Sequence, residues 1–308
     1  MSINFKKIKK AKKKMKITKK AETKCDFGNR VVTYTWCECG ENHHGNQQIG
    51  AIAEKGNGFN LDDLNMVKIL VKEKFDCDCI IYNLKDYLVD EENNPIVIKD
   101  KNDKIVSIND AYFLVANDLI GCILRSLGYT KTQLMSEVMS KFWDEHYWDT
   151  RRQKVLNKHA RRNNVISHFD QEAKYNEGKG TVHNINDMKI MNLLKKEFAS
   201  WGEKFDFACA EGNDYPDGGK KKNGIGWHGD TERRRVLAMR LGLNPSMPFY
   251  YRWKYKHTEI GKIAKFDINE GDVMIMSEWA VGTEWKKSSQ VTLVHATGAS
   301  KYVKPKRG

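Results

Sequence analysis

The sequence predicts an α+β protein with a β-rich C-terminal half of barrel or jelly-roll type. Two observations carry this expectation. From about residue 163 the chain breaks into short apolar stretches separated by Gly, Asn and Asp, the pattern of closely spaced strands. Before residue 150, runs of helical periodicity alternate with short strand-like runs. The 308 residues suffice to bury a sizeable core. With five prolines and no Gly/Ser linker, nothing marks a clean break after residue 25. The expected division is a disordered polybasic tail (1–24), an α/β extension packing on the core (25–150), and the β-rich core itself (151–308).

Each element has its own signal. "RVVTYTW" (30–36) alternates and is β-branched, so it reads as a strand, and "ENHHGNQQIG" (41–50) reads as a loop. "LDDLNMVKILVKEKF" (61–75) has helical periodicity, with acids in its first turn and lysines late, as the helix dipole favours. "CIIYNL" reads as a buried strand and "DEENNPIVIKDKNDKIVSI" as a turn and hairpin. Helices are expected over "NDAYFLVANDLIGCILRSLGY" and "KTQLMSEVMSKFWDEHYW". In the C-terminal half "INDMKIMNLLKKEFASWG" is the one expected helix. Around it lie the strand-like segments "NVISHF", "GTVHNI", "KFDFACAEG", "IGWHGD", "RVLAMRLG", "MPFYYRWKY", "GKIAKFDI", "GDVMIMS" and "QVTLVHATG".

The net charge of +13 is unevenly placed: residues 1–20 hold ten lysines and no acids, which leaves +3 for the remainder. Such an arm draws a chain towards phosphates or serves as a nuclear address. No apolar run reaches the roughly 18 residues of a membrane helix, and no secretory signal is apparent. The expectation is a soluble intracellular protein, cytoplasmic or nuclear, with no membrane partner. Seven scattered cysteines fit reduced thiols. The C-x-C pairs Cys37/Cys39 and Cys77/Cys79 read as buried thiols, because zinc pairs are usually spaced more widely.

The stretch "GIGWHGDTERR" (224–234) is too polar for a core and too rich in special residues for an ordinary turn. Residues two apart on a strand share a face, so His228 and Asp230 are expected to point together, with Gly229 leaving room between them. One more histidine from a distant strand would complete a two-His-one-carboxylate set. That set suits Fe(II) and leaves positions open for a co-substrate and dioxygen. Two histidines follow: His257 in "KYKHTEIG", expected at an exposed hairpin turn, and His295 in the strand-like "VTLVHATG". His295 is the expected third ligand.

The surroundings of this motif extend the pattern. Asn213-Asp-Tyr215-Pro-Asp-Gly218 precedes it, Glu232 follows closely, and "VLAMRLG" and "GDVMIMS" come next. In order and spacing, roughly residues 160–308 resemble the AlkB-like branch of the 2-oxoglutarate- and Fe(II)-dependent oxygenases. "SEWAVGTEWKK" and "GKGTV" are similar to segments of AlkB-like proteins encoded by large DNA viruses. The resemblance implies a double-stranded β-helix (jelly-roll) oxygenase core. It also implies iron on His228, Asp230 and His295, and 2-oxoglutarate on Asn213 and Tyr215. Thr231 and Glu232 would then lie at the mouth, towards the substrate.

Two features depart from the family pattern. Arginines usually follow the distal histidine and clamp the co-substrate carboxylates. Here the thirteen residues after His295 offer Lys301, Lys304, Lys306 and Arg307. Lys301 and Arg240, which shares strand parity with Ala238, are the candidates for the clamp. The histidine that often follows the Trp of a "GTEW"-like segment is also missing from "WKKSSQ", so His295 stands as a shifted ligand.

The activity implied is dioxygen-dependent hydroxylation, or oxidative demethylation, of a nucleic-acid base. The basic arm supports nucleic acid as the partner. Trp227 and the aromatics of "FYYRWKY" are expected near the mouth, where a flipped base could stack. Lys158, His159, Arg161 and Arg162 form a basic cluster suited to phosphates. A protein side-chain hydroxylase and a non-catalytic nucleic-acid-binding module are the alternatives.

Overall fold

Strand β1 (Val31–Cys37) sends Val32, Tyr34 and Trp36 to one face and Thr33 and Thr35 to the other, and this alternation organises the fold. The computed structural model describes residues 27–218, 220, 222–242 and 247–304. The basic arm, with Lys306 and Arg307, lies outside the described residues.

In chain order β1 is followed by β2 (Cys39–Glu41), β3 (Gln48–Gly50), α1 (Leu61–Phe75), β4 (Cys79–Asn83) and β5 (Tyr112–Ala116). Then come α2 (Leu119–Leu127), α3 (Lys131–Met139), β6 (His146–Asp149), β7 (Lys154–Asn157), β8 (Arg162–Ser167), β9 (Val182–Asn184) and α4 (Lys189–Ala199). The remaining elements are β10 (Cys209–Tyr215), β11 (Gly224–His228), β12 (Val236–Leu241), β13 (Met247–Tyr255), β14 (Thr258–Ile268), β15 (Val273–Met276), α5 (Glu278–Val281) and β16 (Thr292–Gly298).

An eight-stranded sheet runs β4-β5-β15-β12-β1-β10-β8-β9, and a four-stranded sheet runs β11-β16-β13-β14. Tyr34, Trp36, Met239 and Ile275 on the outer face of the large sheet pack against α1, α2, α3 and α4 in one apolar cluster. A second cluster joins Phe113, Val236 and Met274 of the large sheet to Phe249, Tyr251 and Phe266 of the small one. The rings of Phe113 and Phe249 stack across this interface at 5.6 Å. The sheets therefore face each other, as separate units not closed into one barrel.

The α+β expectation agrees with this largely β structure. Helix α1 covers the expected residues; Asn60 and Asp63 form a capping box, and Asp76 ends the helix in the left-handed region. Other elements differ. The expected helix beginning at "NDAYFLVA" is strand β5 first and helix α2 only from Leu119. Its apolar run is short and aromatic, and Asp118, at φ 47°, breaks the chain. The next expected helix stops at Met139, and its "HYW" end becomes β6, paired with β7. Both ends of the expected loop at 41–50 are strand, since β2 pairs with β3. The expected hairpin after residue 89 is two tight turns closed by the bridges Val89–Pro95 and Lys99–Ile105.

The boundary expected at residue 150 does not divide the sheet. β1 lies between β10 and β12, and β5 pairs with β15. Residues before 150 thus supply an interior strand and two more at one end. No helix among the described residues is long and apolar enough to cross a membrane.

A fragment of residues 151–308 leaves β10 and β12 without the strand between them, so it is expected not to fold alone. A sharp, cooperative thermal transition from that fragment would show residues 25–150 to be an accessory.

Candidate metal centre

His228 and His295 oppose each other across the antiparallel pair β11–β16. Ile225 opposes Thr297 in the same pair, so three steps along β11 match two along β16. This bulge re-aims the end of β11, and both Ile225 and His228 face the space between the sheets. The two imidazole centroids are 4.4 Å apart.

Asp230 lies beyond the end of β11, which corrects the expectation of a shared strand face. A turn at Gly229 brings the carboxylate back, and the Asp230 N–H donates to the Val281 carbonyl at 3.2 Å. Gly229 is needed for close approach rather than for room between ligands: a Cβ there would meet the Gly282 oxygen at 2.2 Å. Asp230 Oδ1 is 3.5 Å from His228 Nε2 and 3.7 Å from His295 Nε2. The three ligand atoms lie within 4.8 Å of one another, and no other such His/Cys/Asp/Glu group occurs among the described residues.

The protonation states suit a cation. His228 Nδ1 sits 2.7 Å from the Gly226 carbonyl, and as the donor there it leaves the Nε2 lone pair free. Burial, and then the neighbouring His295, lower the His228 pKa to about 4. Burial alone would raise the Asp230 carboxyl. Arg233, with both histidines, outweighs it and holds that carboxyl below the usual range.

Arg233 is the organising cation, and the motif reading missed it. It is 4% exposed and donates to Glu211 at 2.6 Å and to Glu232, and its Nε lies 3.8 Å from Asp230. The hydroxyl of Thr283 holds the Arg233 carbonyl at 2.9 Å. The charged run "TERR" gives no sign of which arginine turns inward. Glu211 had a signal, since it lies two residues before Asn213 on β10 and shares its face.

The cavity between the sheets measures 420 Å³. Asn213, Tyr215, Arg240 and Arg161 line it, as do the three candidate ligands. Asn213 Oδ1 accepts from Arg161 Nε at 2.6 Å and from Asn163 Nδ2 at 2.5 Å, and its own amide nitrogen donates to Glu211 Oε1 at 3.5 Å. Burial raises the Tyr215 phenol to about 12. Arg240 is 2% exposed, and its Nε and Nη1 have no acceptor among the described residues. Burial lowers its pKa to about 10, against the opposing pull of Tyr215 and Asp272.

Other expected site residues fall elsewhere. Glu232 lines the cavity but is buried against Arg233 rather than standing at an open mouth; burial raises its pKa. Trp227 points away from His228 and packs on Tyr250 and Arg252 outside the cavity. Thr231 is not on the wall, Arg162 is engaged with Asp214 at 2.7 Å, and exposed Lys301 lies over the Tyr302 ring. His257 is exposed at the β13–β14 turn, as expected.

Residues before 150 contribute to the wall as well: Thr33 and Thr35 from β1, Glu41 at the end of β2, and His43 and His44 beyond it. Burial, with Glu232 and Glu211 nearby, raises Glu41 to about 7. Cys37, Cys39, Cys77 and Cys79 are buried and free.

No protein-family model matches the chain. An uncharacterized protein of Acanthamoeba polyphaga mimivirus is 35% identical over 274 residues, spanning 89% of this chain and 98% of that one. The chain belongs to the family of that viral protein. The match runs through both halves, in keeping with a sheet built from both, and it bears on the viral side of the resemblance alone.

Two outcomes are expected. His228→Ala and His295→Ala should each weaken Co(II) binding by more than about 100-fold in calorimetry, since loss of even outer-shell partners costs about 10–100-fold. His228 stays neutral down to about pH 4 in the folded chain, against 6.5 for a free side chain. Its contribution to stability is therefore full above pH 6.5 and declines as pH falls towards 4. The metal-free His228→Gln protein should lose less stability than wild type between pH 7 and about 4.5 in urea titrations. Equal losses would contradict the assignment.

Proposed function

We propose that the chain is an AlkB-like, Fe(II)- and 2-oxoglutarate-dependent dioxygenase with a jelly-roll core that hydroxylates or oxidatively demethylates a nucleic-acid base. The observation that carries the reading is Arg240, a buried guanidinium without an acceptor in the same cavity as a His/Asp/His set. An unpaired buried charge is expensive, and a dicarboxylate would answer it. Facing sheets with the candidate ligands between them fit a double-stranded β-helix, and the sequence motifs fall on the cavity wall in the order the resemblance implies.

His228, Asp230 and His295 would hold iron, which with bound 2-oxoglutarate and dioxygen supplies C–H hydroxylation. Arg240 would take the far carboxylate of the co-substrate, with the Thr33 hydroxyl, buried and unpartnered, beside it in the cavity. Asn213 would donate its amide N–H, oriented by Arg161 and Asn163. This replaces Lys301 as the clamp and puts the cation on β12 rather than after the distal histidine. Glu41 on the cavity wall would offer an acceptor to the amino edge of a base, while Glu211 and Glu232 are held by Arg233. The intact ligand set and the waiting cation weigh against a decayed, purely binding module.

The test is succinate formation from 2-oxoglutarate with Fe(II) and oxygen. Arg240→Met should raise the apparent KM for 2-oxoglutarate by at least about tenfold, as loss of one charge-assisted pair implies. Because it removes an unpaired buried charge, the same change should leave the metal-free protein at least as stable as wild type. Unchanged KM, or a large loss of stability without co-substrate, would remove Arg240 from this role.

A further inference from the structure

A second hollow of 380 Å³ lies beside the metal cavity, next to the β6–β7 hairpin. Lys158, Arg161, Arg162, His146 and His159 line it, against one acid, Glu145. Not all of this charge is uncommitted. Arg162 donates Nε and Nη2 to Asp214 at 2.7 Å and 2.5 Å, and Arg30 reaches the same carboxylate at 2.9 Å. Lys158 donates to Asn42 Oδ1 at 2.7 Å. Arg161 spends only Nε, on Asn213, and its terminal nitrogens make no hydrogen bond among the described residues. Arg161 also lines both hollows.

We infer that the basic hollow is a phosphodiester subsite for a nucleic-acid strand whose adjoining base enters the metal cavity, with Arg161 on the shared wall. The inference rests on the proposed substrate class and adds where the strand runs. A phosphodiester is a fixed monoanion with paired acceptor oxygens, which the free fork of Arg161 can meet with two N–H donors. Lys158 and exposed His159 add N–H donors around it, although burial lowers the Lys158 pKa to about 7. The arrangement also ties the strand to the co-substrate side, because the guanidinium that would meet phosphate also orients the Asn213 amide.

The test uses full-length protein without iron or 2-oxoglutarate, with a fluorescein-labelled single-stranded decamer titrated across a range of salt. Each lost phosphate contact lowers the slope of log affinity against log salt by about 0.7, or about fourfold in affinity at 0.15 M salt. Arg161→Gln, which removes the free fork, is expected to show that change, with its melting temperature as the check on folding. Lys68→Gln, on the exposed face of α1, should leave the slope as in wild type. The basic arm contributes equally to all three proteins, so the difference isolates the hollow. Equal slopes for wild type and Arg161→Gln would overturn the inference. So would binding of inorganic phosphate alone that Arg161→Gln abolishes while decamer binding is untouched, which would make the hollow a site for a free anion. A changed slope without any succinate formation would keep the subsite and sink the oxygenase; the converse would do the reverse.

Discussion

Arg240 lies on the inner face of β12, 2% exposed, and neither Nε nor Nη1 finds an acceptor among the described residues. A charge taken out of water in this way costs several kcal/mol unless an anion meets it. The proposed anionic guest would meet this charge in the space between the two sheets. Thr33, Asn213 and Tyr215 line the same space, and His228, Asp230 and His295 converge on it from the end of β11, the turn beyond it and the middle of β16. The outer face of the large sheet is apolar and helix-covered, so polar chemistry is confined to one side of β1, β10 and β12.

The second constraint is acidic. Glu211, Glu232 and Asp230 approach one another around Arg233, the cation that keeps them together. Arg233 is fixed in turn: Thr283 binds its backbone, and Gly229 and Gly282 meet where a single Cβ would collide. The "GTEW" segment thus buttresses the "HGD" turn, a physical reason for the two to occur together. Metal site and outer cavity share this one support.

Much of the fold was legible because alternation and cap signals are local. Helix 61–75 announced itself through its periodicity, its acidic first turn and its late lysines, and nearly all the strands after residue 163 follow short β-branched runs. The misread element, 112–116, is an apolar run too short for periodicity to separate strand from helix. What sequence hid was long-range: β1 lies between strands more than 170 residues away, so the apparent extension is an integral part of the large sheet.

The site divides in the same way. The His–x–Asp spacing and the single strand-borne histidine downstream sufficed to find the three candidate ligands. The geometry that joins them, a bulge followed by a turn, is not a property of spacing. Parity alone would have sent Trp227 outward once His228 was placed inward, and would have added Glu211 to Asn213. Arg233 and the wall residues Glu41 and His43 come from charge runs and loops whose direction depends on packing. The most direct test of the central claim is the visible absorption of the protein with Fe(II) and 2-oxoglutarate under strict exclusion of oxygen. The account predicts the metal-to-ligand charge-transfer band of a chelated 2-oxo acid, absent when either component is omitted. Tight Fe(II) binding without that band would contradict it, because the cavity would then hold the metal without the guest that Arg240 requires.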